Sequence, residues 1–204
     1  MHRAATEHDS PPLRVPRSGG VALHGMMKLA WAVVLAVLFG ALPAPAAAAE
    51  LTTFEVQRTE DGLMLNYAVN FELPKGADEA LSKAVPLYFV AEADVFRDRW
   101  YWRDKRVAQA SRVWRIVFQP LTLTYRVTFG GLSQSYTGRA EALAAIGRNA
   151  RWKIAEPGQI EEGSKHYVEF NFRLEPNLLP RPMQIGISGQ PEWTLEVVKV
   201  QRFN

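Results

Sequence analysis

The sequence predicts a mainly antiparallel β domain, sandwich-like, with one or two short helices over a face or edge. Apolar residues recur with period two far more often than with period 3.6, turn-forming pairs separate the alternating runs, and only two stretches have helical composition. Leu51 to Thr59 and Leu63 to Leu73 flank Glu60-Asp61-Gly62, whose Asp-Gly pair readily takes the positive φ angles of a type I′ hairpin. The second run sets Leu63, Leu65, Tyr67, Val69, Phe71 and Leu73 on one face. Gly76 to Ala84, between Pro74 and Pro86, holds helix formers and is expected to cross between strands as a short helix.

The stretch from Val85 to Phe118 admits two descriptions. Phe96, Trp100, Val107 and Trp114 could lie along a helix, but Val85, Leu87, Phe89, Ala91, Ala93 and Val95 alternate, favouring a long hairpin that turns near Asp104-Lys105. From Leu121 to Phe129 every odd position is apolar and every even one is Thr or Arg, as one buried and one wet face demand. Gly130-Gly131 turns into Leu132 to Tyr136. Arg139 to Arg148 sets Ala140, Leu143, Ala144 and Gly147 near one helical face, with Thr137 as a candidate cap. His166 to Leu174 alternates again through Val168, Phe170, Phe172 and Leu174, and the last strands are expected at Met183 to Ser188 and Trp193 to Val200.

Ahead of this domain, Met27-Lys28 leads into fourteen mostly apolar residues, Leu29 to Leu42, followed by Pro43-Ala44-Pro45 and an alanine run ending at Ala49. A positive start, a short apolar run and an Ala-x-Ala site are what translocation and cleavage require, so residues 26–49 are read as a signal peptide. Small Ala47 and Ala49 place the cut before Glu50, leaving residues 50–204 as a single β-rich domain in the periplasm. Residues 1–25 lack apolar periodicity and read as a disordered leader or a start-site extension. The alternative is retention of residues 29–49 as an inner-membrane anchor, near the lower limit of about 17 residues for a span, although Pro43 and Pro45 shorten its helical part. Membrane contact is expected only in that case.

Cleavage after residue 49 of the 204 leaves 155, enough to bury roughly 70% of the unfolded chain's surface without a staple. The chain has no cysteine, which excludes thiol catalysis, thiolate metal sites and disulfides. Of 24 Lys+Arg and 21 Asp+Glu, the first 49 residues take four and two; the domain therefore carries 20 against 19 and is nearly neutral. General polyanion binding loses its simplest support, and export makes nucleic acid a poor partner.

His166 is the single histidine after residue 49, in a strand-like run. Gly186-Ile187-Ser188-Gly189 lacks the final spacing of Gly-x-Ser-x-Gly, so no Ser-His-Asp apparatus is nominated and His166 reads as an ordinary strand-end residue. One His without Cys makes a metal site improbable, and no cofactor motif is present. Glu161-Glu162, and Asp94 with Asp98, could supply an acid and a base, but solvated turn charges are the commoner explanation. The unusual composition lies from Arg97 to Arg106, where five cations and two Asp residues interleave with Trp100, Tyr101 and Trp102, followed by Arg112, Trp114 and Arg115. Cationic heads among aromatic rings can grip a polyanion, a glycan or an acidic protein surface. Alternatively, Trp100 and Trp102 are buried together while the Arg residues pair with Asp98 and Asp104. The candidate binding surface is Arg99, Trp100, Trp102, Arg103, Arg106, Arg112 and Trp114.

Arg99-Trp100-Tyr101-Trp102, Ser111-Arg112-Val113-Trp114-Arg115, Leu121 to Val127, Glu141-Ala142-Leu143 ahead of Arg151-Trp152, Leu179-Pro180-Arg181-Pro182 and Glu192-Trp193-Thr194-Leu195 recur in order in one family. In these stretches the chain resembles a family of small exported proteobacterial proteins described as a domain of unknown function, sometimes labelled proline-rich signal peptide protein. The resemblance brings no catalytic residues, and weakly implies a connection to a membrane sensor kinase whose gene neighbours some members. Relatives often carry an aromatic-His pair where this chain has Phe118-Gln119, so no His-dependent role is carried over.

The expected function is a non-enzymatic periplasmic binding or interaction module acting on a membrane sensor or other envelope protein. The alternatives are an envelope hydrolase or glycan-modifying enzyme using a carboxylate pair, and a carrier of an apolar ligand in a cavity lined by residues such as Phe89, Tyr125 and Phe170.

Overall fold

Among the described residues nine strands form, most of them where apolar and polar residues alternate, and they sort into two antiparallel sheets. The computed structural model describes residues 49–101, 103–185, 187 and 189–203. In chain order the elements are β1 (Ala49–Thr59), β2 (Gly62–Phe71), α1 (Lys75–Ser82), β3 (Leu87–Arg97), β4 (Lys105–Gln119), β5 (Thr124–Phe129), β6 (Leu132–Tyr136), α2 (Arg139–Gly147), β7 (Arg148–Ala155), β8 (His166–Leu174), α3 (Arg181–Gln184) and β9 (Glu196–Phe203). One sheet has the order β1-β2-β7 and the other β6-β5-β4-β3-β8-β9.

The two sheets face each other across an aromatic seam. Tyr67 of β2 meets Phe170 and Phe172 of β8 at ring-centroid separations of 4.7 and 6.5 Å. Phe54 of β1 packs on Phe170 at 5.4 Å, and Phe71 on Phe89 at 5.2 Å. Phe89, Phe170 and Phe172 have no solvent exposure. Tilted and offset pairs of this kind add to the gain from area burial alone. The six-stranded sheet is wider than its partner, and α2 packs against β2, β5 and β6 beside the extra wing.

Most expected strands are present. The face Leu63, Leu65, Tyr67, Val69 and Phe71 is buried, and Leu73 is half-buried beyond the strand. Val85 to Phe118 is the expected hairpin, turning between Arg97 and Lys105.

Other details differ. Gly62 is the only positive φ at the β1–β2 turn, at 122°, while Glu60 and Asp61 keep negative φ, so the turn is not type I′, which needs two positive angles. Leu121 and Leu123 sit in the turn after Pro120, exposed to 100% and 69%, because proline has no N–H for a ladder and Leu123 takes a φ of 53°. Gly138, not Thr137, occupies the N-cap of α2, with no side-chain cap bond, and the helix buries Ala142, Leu143, Ile146 and Gly147 while Ala140 is exposed.

Met183 to Ser188 is not a strand. Arg181–Gln184 makes a short helix with proline in its first turn, and Gly186 and Ser188 lie outside the described residues. Trp193 closes a 3₁₀ turn, Pro191–Trp193, ahead of β9. Strand β7 has only Trp152 and Ile154 to mark it in the sequence; tertiary pairing with β2 makes it.

Residues 1–48, and with them the expected leader, most of the signal segment and Ala47, lie outside the described residues. Ala49 and Glu50 open β1, opposite Phe71 and Asn70. Among the described residues no helix is long and apolar enough to cross a membrane.

Candidate functional site: the tip of the β3–β4 hairpin

β3 and β4 run far enough to carry their connection to the end of the sandwich, where the neighbouring strand β8 begins. Arg97, the last residue of β3, pairs with Lys105 on one side and His166 on the other. One residue further, the Asp98 amide donates to the Lys165 carbonyl at 2.9 Å. Asp104 then organises the turn. One carboxylate oxygen accepts from the Arg99 amide at 3.0 Å and the other from the Tyr167 hydroxyl at 2.8 Å. These bonds, the Arg99 amide foremost, hold the Asp104 carboxyl below the usual carboxylate range. The Tyr167 phenol is pushed up to about 12, first by burial and then by the Asp104 carboxylate. Its ring lies flat on Phe96 at 5.2 Å. Arg97 forms an ion pair with Glu161 of the β7–β8 loop, and Arg106 pairs with Asp94 at 3.4 Å.

Trp100 and Tyr101 project from this pinned turn, exposed to 91% and 67%, their rings edge to face at 4.3 Å. Arg97, Asp98, Arg99, Glu161 and Ser164 join them around an open groove of about 610 Å³. A second groove of about 430 Å³ lies on the other side of the Arg97–Glu161 pair, lined by Lys105, Arg106, Val107 and Gln159 among others. With Arg97 and Arg106 already paired, the arrangement can hold an anionic group on Arg99 or Arg103 and a flat or apolar group against the rings.

The structure thus gathers Arg99, Trp100, Arg103 and Arg106 at one end. Trp102 lies outside the described residues. The expectation that Trp100 is buried is overturned by its exposure, and Asp104 bonds a backbone amide and a tyrosine rather than an arginine side chain. Trp114 and Arg112 do not belong to this surface. Trp114 is 4% exposed and stacks on Phe129 at 5.1 Å, since β4 turns its even positions from Ala108 to Ile116 toward the opposing sheet. Arg112 follows the same row and lies between the sheets, its guanidinium 5.2 Å from both the Phe129 and Trp152 rings. It donates to the Asn149 side-chain carbonyl at 2.8 Å, and burial lowers its pKa. It acts as a clamp from β4 to β5 and β7.

Of the four candidate carboxylates, two share a groove and two stand apart. Glu161 is held by Arg97 and shares the first groove with Asp98; Glu162 is solvated, 3.9 Å from Arg58; Asp94 sits on the outer face of the six-stranded sheet. Of the residues expected to line an apolar cavity, Phe89 and Phe170 are buried in the ring contacts described above, and Tyr125 packs on Phe118 at 5.0 Å. Sequence composition pointed to the Arg97–Arg106 segment, but Glu161, Ser164 and Tyr167 join it only through the pairing of β3 with β8, which no local pattern encodes.

His166 opens β8 and is 1% exposed. Its Nδ1–H donates to the Ser164 carbonyl at 2.9 Å, its ring stacks on Phe203 at 5.8 Å, and its Nε2 has no hydrogen-bond partner among the described residues. Burial lowers its pKa below the ordinary 6.5, and the Arg97 and Arg58 charges push the same way against the opposing Ser164 bond. The folded state therefore excludes a proton that the unfolded chain accepts. Its contribution is complete above about pH 6.5 and is lost as pH falls through the depressed folded value. Denaturant midpoints between pH 7.5 and 5 are expected to fall in the native chain and to fall less in His166→Gln; parallel curves would contradict the assignment.

Residues 46–204 match the family described as Domain of unknown function (DUF4390). The chain belongs to that family. No curated protein and no solved structure matches it. Membership in DUF4390 covers every described element and assigns no residue a role, so the chemistry of the hairpin tip has to be argued from its own geometry.

Proposed function

We propose that this DUF4390 chain is an exported, non-enzymatic interaction module of the bacterial envelope whose β3–β4 tip docks on an acidic surface of a partner protein. A membrane sensor is the partner class that the family resemblance suggests. The observation that carries the proposal is the exposed Trp100–Tyr101 pair, on a loop tied down by the Asp98 and Arg99 amides and the Asp104 carboxylate. Large exposed aromatic rings are the residues that dominate interface energetics when they become buried. A loop ordered beforehand loses less entropy on docking. Because Asp104 is spent on the turn, Arg99 and Arg103 form no ion pair among the described residues and present their charge outward. Export is supported by the apolar segment Leu29 to Leu42 and the small residues Ala47 and Ala49. The burial of His166 supports a non-enzymatic role, since its free Nε2 is closed to a substrate.

Recovery of envelope proteins on the immobilised chain is the test. Trp100→Ala with Tyr101→Ala is expected to lower recovery of the specific partner at least about tenfold, the equivalent of about 1.4 kcal/mol, without changing the melting temperature. Arg99→Glu with Arg103→Glu is expected to weaken it comparably and to reduce its dependence on salt. Identical recoveries from folded variants would remove the tip from the function.

A further inference from the structure

The two sheets expose four edge strands, and three of them are guarded. β1 carries Glu50, Glu55 and Arg58, β7 carries Arg148, Arg151 and Lys153, and β9 carries Glu196, Lys199 and Arg202. Charges on an edge repel further strand addition, and natural sheets use them for that purpose. β6, Leu-Ser-Gln-Ser-Tyr, closes the other end of the six-stranded sheet with no charge and no proline. Among the described residues it is the one edge strand without a charged guard.

What surrounds β6 specifies the strand it would accept. Leu132, Gln134 and Tyr136 share the inner face with Phe129, Val127 and Tyr125 of β5, their paired residues. This face overlooks a groove of about 570 Å³ lined by Trp114, Val127, Phe129, Leu132 and Tyr136, with Ala145 of α2 opposite. Leu132 itself is 80% exposed. On the outer face, Ser135 pairs with Arg126, and Ser133 pairs with Thr128, whose other neighbour is Arg115. Neither arginine forms an ion pair among the described residues. A strand added to β6 places alternate side chains over the aromatic groove and the others on the arginine side.

We propose that β6 is a docking edge for an extended segment of a partner protein, with apolar residues facing the groove and acidic residues on the side of Arg126, one strand in from the edge. Backbone hydrogen bonds supply the attachment, and the two faces supply the selection. The site is separate from the hairpin tip. Leu132 lies beside Phe129 and Trp114, nine residues along β4 from Lys105, or roughly 30 Å at the rise of a strand. The chain can therefore hold a partner at two places, or two partners at once.

The probe is an acetylated nine-residue peptide of alternating Val and Glu, added to the full chain and read by hydrogen–deuterium exchange. Residues 132–136 are expected to exchange at least fivefold more slowly with the peptide at millimolar concentration, while the hairpin tip is unchanged. The same peptide with Lys for Glu is expected to bind at least tenfold more weakly, an arm that needs no protein variant. Gln134→Lys, which guards the edge as the other three are guarded, is expected to abolish the protection at an unchanged melting temperature. Equal protection by both peptides, or none by either, would overturn the proposal. So would a concentration-dependent dimer that protects β6 without peptide and dissolves in Gln134→Lys, because a second copy would then be the occupant.

Discussion

Phe170→Ala is expected to destabilise the folded chain by about 3 to 5 kcal/mol, the range for removing a fully buried phenylalanine from a close-packed core. Phe170 has zero exposure and joins both sheets, touching Phe54 of β1 and Tyr67 of β2 from its place on β8. Against a total stability of about 5 to 15 kcal/mol, the loss removes a large fraction of what holds the sheets together. Thermal unfolding should shift downward by roughly 10 °C for a chain of this size. The same measurement separates a packed core from a ligand-carrying one. A side chain lining an apolar ligand cavity has few partners to lose, so a cost under about 1 kcal/mol would favour the carrier hypothesis instead.

Gly62→Ala is expected to cost about 3 kcal/mol or more, from two causes acting together. The φ of 122° is one that an L side chain rarely adopts, which alone costs about 1 to 3 kcal/mol. A Cβ at this position would also overlap the backbone carbonyl oxygen of Ala155, which belongs to β7 opposite Leu63. Relief requires moving one strand of the smaller sheet away from another. Gly131→Ala is the matched control: its φ is also positive, at 83°, but open space surrounds it, so only the backbone strain remains. Denaturant unfolding should therefore show a larger loss in Gly62→Ala, from the overlap and from a φ further from the left-handed well; equal losses would show that β7 yields freely.

The chain's alternation carries much of the architecture. Odd positions from Leu87 to Val95 and even positions from Val168 onward on β8 face the core as their pattern demands, and the turn near Asp104 was visible because polar residues interrupt two apolar runs. Alternation misleads where a turn continues the same rhythm, as at Leu121 and Leu123, and where a cation occupies a core row, as at Arg112, which two aromatic rings and Asn149 accommodate. The candidate site was half legible. Exposed aromatics and cations are local facts of composition, whereas the pairing of β3 with β8 that brings Glu161, Ser164 and Tyr167 alongside is a contact between distant segments. Trp114 shows the limit most plainly, since nothing local to Ser111–Arg115 distinguishes an interface tryptophan from one stacked beneath a neighbouring strand.

The Trp100–Tyr101 tip is proposed to meet a partner protein in the cell envelope. A photo-crosslinking residue placed at Tyr101 in the full chain, activated in living cells and read by mass spectrometry, tests it most directly. The same residue at Val198, 61% exposed on β9, is the control. One dominant envelope-protein adduct is expected from position 101, absent from position 198 and lost with Arg99→Glu and Arg103→Glu. Adducts of the same identity and yield at both positions, or none at position 101, would contradict it.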